Sequence, residues 1–488
     1  MSPGQAQNIP VSPEGLYEHN GGDGVQHHEQ TGRRKSGTTA AQSDDKSDNK
    51  QSSISELIKF LFPFFVSLNT KGLNLAFGAF LYGYKDIQVD SSVSYLSVSW
   101  IGSIYASVLL LLFPLVKWMF DQLKPKKDKH RGYVLVVGAL CITIRTAFLI
   151  ASASVSSYEG LIIMHGCVVG VMDSVLYGLA VIYLDANQRK RPLMWTGFIR
   201  LGASIGGVVH TAILNGCLPT IGFPWGIRIC AILGVATMLP TIAFLPPLEP
   251  VYAEKDLSWS WSRLLIFEDI VGEKEFEDGT KPKNSGPSFV LALFGMLCLF
   301  GGLYYAFHFI VLYGVHSAHK TPAESMRLLI EMCACHGAGS IVASLLKGYV
   351  EDQMSVLTFA VLCTSQALFT WTGANDHAGL IMFVCFYGFY SAIVETLHLG
   401  CMFTYANSYP DADQTERMRY RTSFLFVAMG VGALAGAPAT SMLIQMGGKV
   451  LMFVLADAMC ATALLVAAFC LFLALVLMSR KSGEDEDD

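Results

Sequence analysis

Twelve apolar segments, each about 20 residues long, run from about residue 60 to residue 478 with short polar breaks between them. A helix of about 20 apolar residues spans the hydrocarbon core of a bilayer. Only helices and closed barrels satisfy their backbone polar groups there. The pattern predicts an all-α membrane protein with twelve transmembrane helices. We place them at about 60–84, 98–120, 132–152, 158–184, 192–214, 226–246, 289–314, 326–350, 355–373, 378–405, 421–444 and 449–478.

The composition agrees with a membrane protein and argues against other classes. Apolar residues make up 52% of the chain and charged residues 15%, below the roughly 25% charged residues of a soluble domain. The 12 cysteines lie mostly inside apolar segments and read as small core residues. No metal-ligand spacing, nucleophile–base pair or nucleotide-binding loop is present. We therefore expect no enzyme, no cofactor, no metal and no nucleic-acid partner.

The polar segments divide the chain into five regions. We predict a disordered cytoplasmic tail at 1–53, six helices in 54–246, a cytoplasmic linker at 247–288, six helices in 289–479 and an acidic cytoplasmic tail at 480–488. Basic loops favour the cytoplasmic side, which places both termini in the cytoplasm, and the plasma membrane is the default location. The residues of these loops are Lys124, Lys126, Lys127, Lys129, Arg131, Arg189, Lys190, Arg191, Arg417, Arg419 and Arg421.

Two sets of six helices joined by a long linker are typical of transporters built from repeats, whose substrate site lies near the bilayer midplane. Asp121 follows the second span, and Asp352 occupies the corresponding place after the eighth. Acidic groups at helix ends beside basic loops can act as latches that close one face. The alternative is that both carboxylates are solvated loop charges.

Five segments in order resemble the monocarboxylate transporter family, particularly its fungal members. They are Gly72–Leu81, Ser99–Ser103, Arg191–Gly207, Gly339–Asp352 and Gly432–Pro438. The resemblance covers about 60–478. It implies the major facilitator fold, in which twelve helices form two six-helix bundles and the first, fourth, seventh and tenth helices line the cavity.

The chain departs from that family at three places. Ser344 stands where the family usually has an arginine, and Arg200 stands where it has a small or apolar residue. The first-span lysine of the animal members has no counterpart near Ala79. The substrate-anchoring chemistry has therefore moved or changed, and lactate or pyruvate specificity does not carry over.

Ionisable residues inside the predicted spans are the first functional candidates, because a charge at the bilayer centre costs about 2.5–3.5 kcal/mol on insertion scales. Arg145 in the third span and Arg200 in the fifth can each hold a substrate carboxylate through two parallel hydrogen bonds. The alternative is a structural pair with Asp173 in the fourth span. Asp173 is also a candidate proton carrier.

The second half supplies further candidates. Glu395 and His398 are three residues apart, so they share a helix face and form a candidate for proton coupling or an interhelical hydrogen bond. His336 lies near the middle of the eighth span and is also a proton-coupling candidate. His308 and Tyr305 in the seventh span are candidate substrate contacts or packed core groups.

Two polar residues in other spans complete the set. Asn74 in the first span adds neutral hydrogen-bonding capacity for substrate. Asp457 in the twelfth span lies alone in an apolar helix, for which we favour a structural role.

Three functions are compatible with these residues. The first is secondary transport of a small organic anion, such as a monocarboxylate, with proton symport by alternating access. The second is transport of a larger planar or neutral metabolite, such as a riboflavin-like vitamin, and the third is a nutrient sensor with a transporter fold. The expected partners are the substrate, protons and membrane lipids, and the sequence leaves an accessory subunit open.

Overall fold

The computed structural model describes residues 60–122, 127–188, 192–245, 287–350, 352–371, 373–374, 376–406, 414–446 and 453–484. The predicted N-terminal tail, almost all of the predicted linker and the last residues of the acidic tail lie outside the described residues. The described residues are helical with short turns and contain no strand, which confirms the all-α fold.

We number twelve helical segments in chain order within the described residues. They are α1 (residues 60–69, Lys71–Leu75 and Phe77–Gly83), α2 (Tyr95–Leu111 and Phe113–Gln122), α3 (Lys127–Ser152), α4 (Tyr158–Leu161, Ile162–Val169 and Gly170–Gln188), α5 (Pro192–Cys217), α6 (Phe223–Ala243), α7 (Pro287–Leu303 and Tyr305–His316), α8 (Pro322–Tyr349), α9 (Gln353–Trp371), α10 (His377–Ala406), α11 (Gln414–Met446) and α12 (Val454–Glu484).

Among the described helices, 11 are long and apolar enough to cross a membrane, and they correspond to the predicted second to twelfth spans. The first predicted span is present as a helix but is interrupted at Thr70 and again at Ala76. The Thr70 hydroxyl donates to the carbonyl of Val66 at 2.8 Å, a contact that often bends helices. Beyond Gly83 the chain continues as a π-helix over Tyr84–Gln88.

The helices pack as two sets that meet mainly along three contacts. In the first set α1 packs on α5, α2 on α4 and α3 on α6, and in the second α8 packs on α10, while α7 and α9 pack on α12. The contacts between the sets are α2 with α11, α5 with α8, and α1 with α7. At the last of these, a Cβ on Gly78 would overlap the carbonyl oxygen of Phe307. Glycine there allows the two backbones to approach closely.

Apolar side chains on the outside of the helices match the lipid environment that the sequence predicts. Val136 and Leu140 on α3 and Phe472 on α12 are among the large hydrophobic side chains that are more than half exposed. Polar and charged side chains such as Arg145, Asp173 and Glu395 are instead buried between the helices. This distribution is the reverse of that in a soluble protein, and it places the ionisable side chains in the interior.

Candidate functional site

Two interrupted helices bring the first elements of the site together. α1 is broken at Thr70, directly before Lys71, and α7 is broken at Tyr304. They are the first helices of the two sets, so the two interrupted helices occupy corresponding places in the chain. Interrupted helices at corresponding positions of two repeats are the best pointer to a transporter's binding site.

Lys71 is a buried cation whose neighbours are tyrosines. Its side chain is 4% exposed, and its Nζ lies 3.4 Å from the hydroxyl of Tyr304. The ammonium also lies 5.3 Å from the ring centre of Tyr177 and 6.0 Å from that of Tyr304, within range of cation–π attraction. Its charged neighbours include Glu395 and Arg200. Lys71 therefore connects α1 with α4 and α7.

Glu395 on α10 is the carboxylate of the same group. Its Oε2 lies 3.8 Å from Nε2 of His336 on α8, and the Tyr304 hydroxyl lies beside it. The other ring nitrogen of His336, Nδ1, is hydrogen-bonded at 2.7 Å to the hydroxyl of Ser204 on α5. This chain of contacts crosses from the first set of helices to the second.

Arg200 completes the group one turn before Ser204 on α5. It is 4% exposed, and its Nη2 has no hydrogen-bond partner. No carboxylate of the described residues lies within salt-bridge distance of its guanidinium. Its charge acts on Lys71, His336 and His398. We call Lys71, Arg200, Tyr304, His336 and Glu395 the central cluster.

The central cluster carries an excess of positive charge. With neutral imidazoles it holds two cations, Lys71 and Arg200, against one carboxylate, Glu395. Buried charges are normally paired, because an uncompensated charge in a low-dielectric interior is costly. Among the described residues the missing negative charge is not supplied by the protein, so the arrangement can accept an anion.

A second buried group lies within the first set of helices and has its charges paired. Arg145 Nε donates to Asp173 Oδ1 at 2.6 Å, and Arg145 Nη2 donates to the Asn69 carbonyl at 2.7 Å. The hydroxyl of Tyr105 contacts Asp173 Oδ2 at 2.7 Å. The structure therefore brings Arg145 and Asp173 together as the structural pair that the sequence offered as an alternative to direct anion binding.

The two candidates in α7 point to different surroundings. The hydroxyl of Tyr305 donates to Asp457 Oδ1 on α12 at 2.5 Å, so Tyr305 faces the interior of the second set rather than the central cluster. The ring of His308 stacks on Tyr304 at 5.9 Å and contacts Phe77 at 5.0 Å, and it faces the backbone of Asn74. His308 and Asn74 thus adjoin the central cluster on the side of Tyr304.

His398 is close to the cluster but bonds to its own helix. Its Nδ1 is 3.2 Å from the carbonyl of Val394, and because a carbonyl only accepts, this nitrogen carries a proton. The side chains of Glu395 and His398, both of which the structure describes, show no hydrogen bond to each other. Glu395 instead faces His336, a partner on another helix that the spacing along α10 does not reveal.

The two predicted latch residues have different outcomes. Asp352 is exposed and caps α9, where it accepts hydrogen bonds from the backbone N–H of Met354 at 3.0 Å and of Ser355 at 3.3 Å. This position fits a solvated loop charge, the alternative to a latch. The side chain of Asp121, at the end of α2, lies outside the described residues, so its latch role stays a prediction.

Lys71 and Tyr304 are the functional candidates that sequence reasoning missed. A lysine inside an apolar segment is itself the signal that would have found Lys71. Tyr304 carries no comparable signal, because only the position of the helix break separates its surroundings from those of Tyr305.

The interior charges, the interrupted first and seventh helices and the excess positive charge between two helix sets define a membrane transporter. Comparison with known proteins gives the family. The sequence matches the Major Facilitator Superfamily over residues 60–418, and the chain therefore belongs to that superfamily.

Fungal transporters are among the similar proteins. The MFS-type transporter dbaD of Emericella nidulans is 25% identical over 77% of this chain and 76% of its own length. The Fujikurins efflux protein of Gibberella fujikuroi is 24% identical over 74% of this chain and 71% of its own. The crystal structure of nucleoside transporter NupG covers 86% of this chain and 99% of its own, with a TM-score of 0.58 at 15% identity. This likeness supports the fold.

Proposed function

We propose that the protein is a secondary carrier of a small organic anion and that the central cluster binds the anion. The observation that carries the proposal is the buried guanidinium of Arg200, which has no acidic partner among the described residues and lies near a second cation, Lys71. A substrate carboxylate supplies the missing charge. Arg200 offers a planar fork for a carboxylate, while Lys71 acts as a point charge.

We further propose that a proton travels with the anion. In the empty carrier Glu395 is the counter-charge of Lys71 and Arg200. An entering anion takes over that role, so the negative charge of Glu395 becomes surplus and the carboxylate gains affinity for a proton. His336, at 3.8 Å from Glu395, is positioned to exchange that proton. His398 adjoins the same group and remains a secondary candidate.

The Asp173 carboxylate is assigned a structural role in this scheme. Its two oxygens already have partners in Arg145 and Tyr105. Binding an anion or taking up a proton there would leave a buried charge uncompensated, which is strongly unfavourable. The carrier is proposed to lie in the plasma membrane with both termini in the cytoplasm, as the basic loops predict.

A larger metabolite, exported rather than imported, is the second candidate. One relative is named for the efflux of fujikurins. The neighbouring rings of Phe77, His308 and Tyr304 beside the central cluster can contact a planar ligand. The two candidates differ in what the substrate must contain: an acidic group in the first, and a planar ring system in the second.

Uptake into proteoliposomes that contain the full chain and a trapped pH-sensitive dye tests the proposal. The probes are radiolabelled lactate, pyruvate and acetate, compared with riboflavin and uridine. We expect an acid to enter faster with an inward proton gradient and to acidify the lumen. Entry of an acid without any effect of the gradient contradicts proton symport. Transport of the neutral probes alone contradicts the anion proposal and supports the second candidate.

A further inference from the structure

A second cluster of titratable side chains lies outside the central cluster. It is at the N-terminal end of α2, whereas the basic loop follows the C-terminal end of that helix. Asp86 follows α1, Tyr95 begins α2, and His316 ends α7. The Tyr95 hydroxyl is 3.1 Å from Asp86 Oδ1 and 2.8 Å from His316 Nε2, and His316 Nε2 is 3.8 Å from Asp86 Oδ2. We call these three residues the outer latch, because they tie the first set of helices to α7 of the second.

The proton count of the outer latch restricts the state of His316. The Tyr95 hydroxyl has one proton, which it donates to Asp86. The bond between Tyr95 and His316 therefore needs a proton on Nε2 of the imidazole. An imidazolium always carries that proton and adds a charge attraction to Asp86. A neutral imidazole also adopts the other tautomer, in which its Nε2 competes with Asp86 for the tyrosine proton.

The charged neighbours of the latch come from three elements. On the α1 side, Lys85 lies 5.4 Å from the ring centre of Tyr95 and donates to the carbonyl of Ser91. In the same loop, hydrogen bonds from the backbone and side chain of Ser92 lower the pKa of Asp90, so that carboxylate stays ionised at neutral pH.

Two further groups complete the charged surroundings. Tyr82 on α1 lies near Asp86. After α7, Lys320 is 3.3 Å from His377 Nδ1, so both are engaged away from the latch. The imidazole that faces the Asp86 carboxylate is that of His316.

Another part of the contact between the helix sets, between α2 and α11, contains an aromatic pair. Phe113 on α2 and Phe426 on α11 stack with ring centres 4.1 Å apart. The side chains of His316 and Asp86 are 36% and 26% exposed, so protons from one aqueous compartment reach them directly.

We propose that the outer latch is a proton-sensitive gate: protonation of His316 holds the outer ends of α1, α2 and α7 together, and deprotonation releases them. Imidazole is the side chain that proteins most often use to sense protons, so the gate responds to the acidity of the compartment it faces. The inference depends on the transporter fold and on the latch geometry, and it is independent of the identity of the substrate.

The test measures the outer opening directly. Spin labels are attached through unnatural amino acids at Ser92 and Ala323, two exposed positions on either side of the latch, in the full chain in nanodiscs. Distance distributions are recorded by electron–electron double resonance between about pH 5.5 and 8.5. We expect the ratio of the population at the long distance to the population at the short distance to rise about two- to fivefold with pH. This is the change that the free energy of an exposed ion pair produces.

Three variants decide between the latch and other titrating groups. His316→Gln keeps a donor but cannot gain charge, so its distances should not change with pH. His377→Gln, a histidine outside the latch, should respond as the unmodified protein does. Asp86→Asn should lose most of the response and serves as the second variant if His316→Gln fails to fold. Distances that do not change with pH in the unmodified protein, or a full response in either latch variant, overturn the proposal.

Discussion

The pair of Arg145 and Asp173 and the central cluster of Lys71, Arg200 and Glu395 both bury charge between helices, but they differ in how that charge is balanced. In the first, one guanidinium faces one carboxylate at 2.6 Å, and Tyr105 fills the second carboxylate oxygen. In the second, two cations share one carboxylate, and no carboxylate of the described residues lies within salt-bridge distance of Arg200.

We propose that this difference separates a structural ion pair from a binding site. The balanced pair lies inside one set of helices and connects α1, α2, α3 and α4, so it can move as a rigid unit. The unbalanced group lies where α1, α5, α7, α8 and α10 meet, across the boundary between the two sets. Charge that the protein leaves uncompensated at a boundary is a place for a charged ligand.

The largest effect is expected on stability, from breaking the balanced pair. Arg145→Leu leaves Asp173 buried without its counter-charge, which should lower the free energy of unfolding by about 3–5 kcal/mol. The measurement is thermal and denaturant unfolding in detergent. Arg145→Leu with Asp173→Leu should recover most of the loss, because neither charge is then left alone. A single variant as stable as the unmodified protein would show that the pair does not hold this set together.

The next largest effect is expected on transport, from changing the unbalanced cluster. Arg200→Gln removes a charged hydrogen-bond donor to the substrate, and uptake of the transported acid should fall about 10- to 100-fold. Its melting temperature should change little, because no carboxylate of the described residues lies within salt-bridge distance of the guanidinium. The matched control is Arg228→Gln, since Arg228 lies at the surface and bonds to Ser154. Equal losses of uptake in both variants would remove Arg200 from the site.

A change in pH dependence is the third expected effect. Glu395→Gln removes the group that takes up the proton while keeping its size. Uptake should lose its stimulation by an inward proton gradient, whereas exchange of labelled for unlabelled acid should continue. Asp173→Asn, in contrast, should keep the stimulation of uptake by the proton gradient, measured on the fraction of that variant that folds. The proton-coupling assignment fails if Glu395→Gln still acidifies the lumen as substrate enters.

The smallest effects compare two neighbouring tyrosines. Tyr305→Phe leaves Asp457 without its hydroxyl partner and should cost about 1–3 kcal/mol of stability with little change in uptake. Tyr304→Phe removes the hydroxyl 3.4 Å from Lys71 and should weaken uptake a few-fold with little change in stability. Parallel measurements of melting temperature and uptake on both variants check the contrast, and the reverse pattern would exchange their roles.

The sequence predicts the parts of this account that depend on local pattern. Apolar length predicts the helices, and the cost of buried charge identifies Arg145, Asp173, Arg200 and Glu395. Partners on other helices do not follow from spacing, so the contact of His336 with Glu395 was not predicted. Successive residues of a helix point about 100° apart, so neighbouring tyrosines face different surroundings. The sequence pattern predicts Tyr305 as a substrate contact, whereas the structure places Tyr304 beside Lys71.

Packing explains one departure from the resemblance. Ser344, at the place where an arginine was expected, lies so close to Gly197 that a Cβ on that glycine would overlap its hydroxyl. The two helices are so close at Ser344 that a longer side chain there would have to turn away from α5. Arg200 lies about one turn further along α5. This is a property of two helices together, so it becomes visible only in the fold.

The central claim, that the unbalanced cluster binds an acid, is tested most directly by ligand-induced stabilisation. The melting temperature of the purified full chain is measured with a panel of monocarboxylic acids, each paired with its neutral amide, such as lactate with lactamide. The account predicts that at least one acid raises the melting temperature, that its amide does not, and that Arg200→Gln abolishes the rise. Equal stabilisation by an acid and its amide, or a rise that persists in Arg200→Gln, would contradict it.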